Sequence, residues 1–196
     1  VFFDNVRIPD AQRLGEVGDG WKVALTTLMN ERLAIGGSIA TGFPEIQALV
    51  SELVLASGPA SGDQAVRSKL ADWYAKSAGL KNTGARAISA LSKGEIPGPE
   101  NSIGKLVAGG MMQDIAKFAV DLQGLGGLVT DPEIARSQAQ IQSMLMRSPA
   151  VRIEGGTDQI LRNIIAERVL GLPEDMRADK GIAFSQIPTS QDSGTR

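Results

Sequence analysis

Apolar residues recur at helical spacing along most of this chain, and a few glycine- and proline-rich points interrupt them. Trp21, Ala24, Leu25, Leu28, Leu33 and Ile35 fall near one side of a helix, and the run continues through Ile46, Leu49, Val50 and Leu53. Gly36, Gly37 and Gly42 weaken its middle, which predicts a kink or a close helix contact there. SGPASGD, residues 57–63, reads as a loop. A second helical stretch is predicted over 64–93, with Leu70, Trp73, Tyr74, Ala78, Ala85, Ile88 and Leu91 on its apolar side. Gly79 and Gly84 are its weak points. IPGPEN, 96–101, is a break, because its two prolines deny backbone donors. A third helical stretch covers 102–122 and carries Ile103, Leu106, Val107, Met111, Ile115, Phe118 and Leu122. The glycine-rich loop QGLGGLVTDP, 123–132, follows, and then a fourth helix over 133–147, polar on one side.

The run from Val151 to Pro173 has the sharpest punctuation. Gly155 and Gly156 offer bare backbone, Thr157 is a good N-cap, and Asp158 sits where the positive end of a helix dipole favours an anion. Gly171 and Pro173 stop the helix that follows. Beyond Pro173 periodicity is lost and TSQDSGTR reads as a frayed tail. Helices of this length with short connections predict an all-α fold, an antiparallel four-helix bundle.

The N-terminus does not fit that bundle. VFFDNVRIP reads as a strand ending at Pro9, and DAQRLGEVGDG as a turn-rich connector. The strand has no partner in this chain and no methionine opens it, so the expectation is a leftover strand of a sheet built by a preceding part. The division expected is 1–19 for that strand and connector, 20–173 for the bundle and 174–196 for the tail.

Composition narrows the chemistry. The chain has 196 residues, enough for one domain with a sizeable core, and its 42% hydrophobic content is that of a globular protein. A net charge of −2 gives no electrostatic case for nucleic acid or an anionic membrane surface. No run has the length of a membrane-spanning helix. With no cysteine and no histidine, thiol nucleophiles, a Ser-His-Asp triad and the usual zinc ligands are all absent, and no metal site is expected. Proton chemistry in this chain therefore falls to a carboxylate. Glu31 lies in the apolar LMNERLAIGG, where apolar neighbours raise a carboxyl pKa and suit it as a base, and Arg32 stands beside it. Glu154 lies just before the glycine pair. Lys105 follows a serine-led helix start, within reach of either a phosphate or solvent. The loop Gln123–Gly127 has backbone N–H groups suited to a pyrophosphate, but it is no dinucleotide fingerprint, since no strand precedes it.

Four pieces, in order, resemble the C-terminal part of an acyl-CoA dehydrogenase. VFFDNVRIP with LGEVGDGW is similar to the last strand of that family's middle β-domain and its exit. LMNERLAIGGSIATG resembles the first helix of the C-terminal bundle, and SIGKLVAGGMMQDIAKFAVDLQGLGG the third helix running into a Gln-x-x-Gly-Gly loop. GGTDQILRNIIAERVLGLP resembles the family's signature ending.

The resemblance implies non-covalent FAD, a glutamate that takes the α-proton of an acyl-CoA thioester, hydride transfer from the β-carbon and a trans-2-enoyl-CoA product. It implies that Gln123, Gly126 and Gly127 contact FAD across a subunit interface, and that Thr157 and Gln159 contact it from the helix start. Arg32, Gly155 and Gly156 would lie at the acyl-CoA site. The expected partners are the acyl-CoA, an electron-transfer flavoprotein or similar acceptor, and sister subunits of a homo- or heterotetramer. The expected location is the bacterial cytoplasm, or the mitochondrial matrix in a eukaryote.

Two positions depart from the family pattern. Many members carry the base two residues before the motif threonine, where this chain has Gly155. A minority place it on the first bundle helix before an arginine, as Glu31 stands before Arg32. Glu31 is thus the expected base, with Glu154 in reserve. The alternative is a non-catalytic subunit of a heteromeric enzyme. The loop 57–63 also lacks the Arg-x-x-Phe-Gly that reaches a neighbouring FAD in many members. Both departures resemble bacterial subunits that form heterotetramers acting on bulky acyl groups, sterol side chains among them.

Overall fold

Asp63 starts the longest helix. Its carboxylate accepts from the N–H groups of Ala65 and Val66 at 2.9 and 3.1 Å, satisfying two of the donors a helix start leaves open. The computed structural model describes residues 1–28, 41–95, 98, 99, 101–174, 179 and 181–187. Glu31 and Arg32 lie outside the described residues. Residues 20–28 are helical. The named helices are α1 (Phe43–Glu52), α2 (Gln64–Ser92), α3 (Asn101–Leu122), α4 (Gln140–Val151) and α5 (Asp158–Ile164).

α3 is the central element. Ten of its residues are buried, from Ser102 to Ala119, and α4, α2, α1 and α5 all pack on it. The core joins Ile46, Leu49 and Val50 of α1, Val66 and Trp73 of α2, Met111, Ile115 and Ala119 of α3, and Ile141 and Met144 of α4. Trp73 meets Phe118 edge-on at 5.3 Å between ring centroids, a favoured aromatic geometry. Gly42 begins α1 at φ +79°, and a Cβ there would stand 2.8 Å from Met144 Sδ. The weak middle of the first apolar run is thus, at Gly42, a close contact between α1 and α4.

α4 runs antiparallel to α3. A Cβ on Gly109 would meet Val151 and Arg152, while Lys105, one turn earlier, reaches Gly156. Near the end of α4, Pro149 has no N–H for the carbonyl of Leu145, and Ser148 Oγ donates to that oxygen instead at 2.9 Å.

Several expectations change here. Residues 1–9 make no ladder among the described residues, and Phe2, Phe3, Val6 and Ile8 are exposed; a single strand needs a partner to form one. Among the described residues the one sheet is a short hairpin inside or beside the predicted loop, pairing Val54 with Pro59 and Leu55 with Gly58. The fourth helix begins at Gln140, not 133. Ser137, Gln138 and Ala139 all have φ between +50° and +57°, and a left-handed run cannot propagate an α-helix. Before it, Asp131 closes a turn through its carbonyl and carboxylate. The apolar side of α2 is only partly covered: Val66 and Trp73 are buried and Leu80 packs on the core, but Tyr74 is exposed. The 29 residues of α2 span about 44 Å against about 33 Å for the 22 of α3, and Ile88 and Leu91 are exposed. Trp21 and Leu25, expected on the apolar side of the first run, are exposed, whereas the described helices from Phe43 to Val151 pack on one core as the periodicity predicts. No described helix is long and apolar enough to cross a membrane.

Candidate functional site

The turn between α4 and α5 is held from three sides. Gly155 and Gly156 have φ of +62° and +111°, conformations that side chains disfavour. The carbonyl of Gly156 accepts from Lys105 Nζ at 2.6 Å. Thr157 is the N-cap, its Oγ1 accepting from Ile160 N at 3.3 Å. Arg152 closes the third side: its Nε donates to Asp158 Oδ2 at 2.7 Å and its Nη1 to Gln113 Oε1 of α3 at 2.6 Å. Asp158 is a first-turn residue, as its position predicts, and it is also the buried partner of this arginine. Its other oxygen, Oδ1, is buried and meets no hydrogen-bond donor among the described residues.

Beside this turn lies a cleft of about 240 Å³ lined by Gln113, Pro149, Arg152, Ile153, Thr157, Asp158 and Gln159. The Arg152 guanidinium on its wall is paired with Asp158 and Gln113, so the cleft presents a neutral set of hydrogen-bonding groups that suits a polar ligand. Sequence reasoning named Thr157 and Gln159 but missed Gln113 and Arg152. Gln113 interrupts the apolar spacing of α3, and that interruption was the available signal.

Glu154, the reserve base, has both carboxylate oxygens on Arg147 Nη2, at 2.6 and 2.7 Å. Lys105 reaches neither solvent nor a surface phosphate, since it is fully buried.

Gln123, Gly126 and Gly127 gather at the far end of α3. Eighteen residues separate Lys105 from Gln123, so the two clusters stand about 27 Å apart along the helix axis. Gln123 Nε2 donates back to Ala119 O at 3.1 Å. Gly127 is buried against the backbone of Val120, whereas a Cβ at Gly126 would meet nothing within 4 Å. Gly126 therefore offers open backbone, and Gly127 is first a packing requirement.

Residues 18–170 match the family model described as "Acyl-CoA dehydrogenase, C-terminal domain". The chain belongs to the acyl-CoA dehydrogenase family. Its similar proteins include acyl-CoA dehydrogenase FadE34 of Mycobacterium tuberculosis, 34% identical over 177 residues that make 88% of this chain and 22% of that protein. Acyl-CoA dehydrogenase IpdE1 of Mycolicibacterium smegmatis is 33% identical over 90% of this chain and 43% of its own length. The chain thus spans less than half of these relatives. Among solved structures, the ChsE4-ChsE5 complex of Mycobacterium tuberculosis superposes with a TM-score of 0.73 at 25% identity, covering 89% of this chain and 46% of that one.

The cleft at Thr157 and Gln159 has hydrogen-bonding groups that fit a polar edge of a flavin cofactor, and Gly126 has room for one against its backbone. About 27 Å of helix lies between the two clusters, so they are two separate surfaces and not one pocket.

Arg152→Gln is expected to lower stability by about 1–3 kcal/mol, because it leaves Asp158 buried without its cation. Urea unfolding measures this, and adding Asp158→Asn is expected to recover part of the loss.

Proposed function

We propose that this chain is the C-terminal helical part of an FAD-dependent acyl-CoA dehydrogenase that converts an acyl-CoA thioester to its trans-2-enoyl-CoA. The observation that carries this reading is the antiparallel pairing of α3 with α4. It sets Thr157 and Gln159 at one end of the bundle and Gln123, Gly126 and Gly127 at the other. Such an arrangement serves a flavin contacted by two subunits, with the first pair from one protomer and the second set from its neighbour. FAD, when bound, supplies the hydride acceptor.

The chain's own residues divide the remaining work. Glu31 takes the α-proton as the hydride leaves the β-carbon, and Arg32 lies beside it at the acyl-CoA. Gly155 and Gly156 let the thioester approach bare backbone. The electrons pass on to an electron-transfer flavoprotein or a similar acceptor. The assembly is a homo- or heterotetramer, and the relation to a ChsE4-ChsE5 complex supports the heteromeric form. A straight fatty acyl chain and a bulky sterol side chain are both within the substrate class.

One observation favours a second reading, a non-catalytic subunit of a heteromeric dehydrogenase. Gly155 occupies the usual place of the base, and Glu154 is engaged by Arg147. The test is incubation of the full-length assembly with acyl-CoAs and an electron acceptor, followed by mass spectrometry. The dehydrogenase reading expects a product lighter by two hydrogens, and expects Glu31→Gln to stop its formation. Product formation unchanged by Glu31→Gln and Glu154→Gln combined would support the second reading.

A further inference from the structure

Lysine is almost never fully buried without partners, since its ammonium loses its hydration. Lys105 has no solvent exposure, and Nζ donates to Gly156 O at 2.6 Å across 51 residues of sequence. It stands in the second turn of α3, between the buried Ser102 and Gly104 and the buried Ala108 and Gly109. Its backbone is hydrogen-bonded in the helix and flanked by buried neighbours. The segment it grips is the opposite: two successive glycines with positive φ have many alternative conformations of similar energy. A charge-assisted hydrogen bond from a rigid helix selects one of them.

The carbonyl that Lys105 holds belongs to the Gly156–Thr157 peptide. In a trans peptide C=O and N–H point in opposite directions. With Gly156 O drawn inward to the ammonium, the Thr157 N–H is turned away from Lys105. Thr157 itself lines the cleft. A cation at the carbonyl end also polarises the peptide and strengthens its N–H as a donor.

We propose that Lys105 is a positioning residue for the flavin-facing turn: its buried ammonium fixes and polarises the Gly156–Thr157 peptide, and so sets how Thr157 meets the ligand. This rests on the flavin reading above. Lys105 is fully buried and is assigned its effect through that peptide.

The test uses the full-length assembly as purified with its subunits, with Lys105→Met, which keeps length and loses the charge, and Lys105→Arg, which keeps the cation. Hydrogen–deuterium exchange is followed over 155–160 and over α2 as an internal reference. Flavin per protomer, its absorbance band, kcat and KM are measured alongside. Lys105→Met is expected to speed exchange at 155–160 by about tenfold or more, the scale of one lost charged hydrogen bond, and to leave α2 at the wild-type rate. Flavin affinity and kcat fall with it, the absorbance band shifts, KM changes less than kcat, and Lys105→Arg restores part of each.

Wild-type exchange, flavin spectrum and kcat in Lys105→Met would overturn the proposal. So would unfolding of both variants, which would make Lys105 a requirement of the core as a whole. Wild-type protein that holds no flavin would defeat the flavin reading instead, and with it the role assigned to Lys105 toward the ligand. The exchange contrast would then show only whether Lys105 holds the turn.

Discussion

Glu31→Gln in the full-length assembly is expected to lower acyl-CoA turnover by about 10²–10⁴-fold, the range for loss of a positioned general base, with flavin content unchanged. The amide keeps the size and removes the basic oxygen. On the proposed mechanism the α-proton leaves as the hydride departs, and a chain without histidine or cysteine leaves a carboxylate to take it. Glu154→Gln is the matched control. Its carboxylate is tied to Arg147, and the pair is about half exposed, so its removal is expected to cost under about 1 kcal/mol of stability and little turnover. Steady-state kinetics on both variants decides the matter. The reverse pattern, with Glu154→Gln inactive and Glu31→Gln active, would move the base to the turn before α5.

Gly127→Ala is expected to destabilise the protein by about 2–4 kcal/mol, at the upper end for overpacking. A Cβ at this position would stand 2.3 Å from Val120 O and 3.0 Å from Val120 C. Those are backbone atoms in the last turns of α3, and no rotamer change moves them aside. The loop has to lift off the helix end, and the open backbone at Gly126 moves with it. Gly126→Ala, with nothing within 4 Å of the new methyl, is expected to leave stability within about 0.5 kcal/mol. Thermal and urea unfolding of the two variants reads the stability contrast. Flavin retention separates a packing glycine from a ligand-contacting one. Gly127→Ala is expected to lose flavin through the displaced loop, and Gly126→Ala through direct crowding in an otherwise stable protein.

How much of this was legible in the sequence depends on how local the cause is. α2 and α3 begin and end within a residue or so of their predicted limits, because Asp63, the proline-rich break and Gly124, at φ +55°, act on their immediate neighbours. Thr157 caps α5 as its type predicts, the helix continues as a π-helical segment over Ile165–Val169, and Gly171 at φ +67° ends it by letting Leu172 N reach Ala166 O at 2.9 Å. The start of α4 was not legible. Ser137, Gln138 and Ala139 carry no sign of a left-handed run, and only their surroundings impose it.

Thr157 and Gln159, named from the motif, line the cleft, whereas Gln113 and Arg152 beside them belong to no motif, and the grip of Lys105 on Gly156 spans 51 residues that no periodicity reports. Gly127 was assigned to a ligand by resemblance, and its contact with Val120 gives it a second reason to be glycine. The same holds for Glu154, whose partner Arg147 lies two turns back on α4. Exposure of Ile88 and Leu91 likewise follows from the length of α2 relative to α3, a relation between elements that neither run contains alone.

The central claim is that acyl-CoA delivers its electrons to a flavin held by this bundle. Anaerobic titration of the full-length assembly with acyl-CoA, followed at the flavin absorbance near about 450 nm, tests it most directly. Bleaching of that band by wild-type protein, with enoyl-CoA formed one-for-one and with no bleaching in Glu31→Gln, is the predicted result. A bound flavin that stays oxidised through the titration with every acyl-CoA tried, or that bleaches equally in Glu31→Gln, would contradict it.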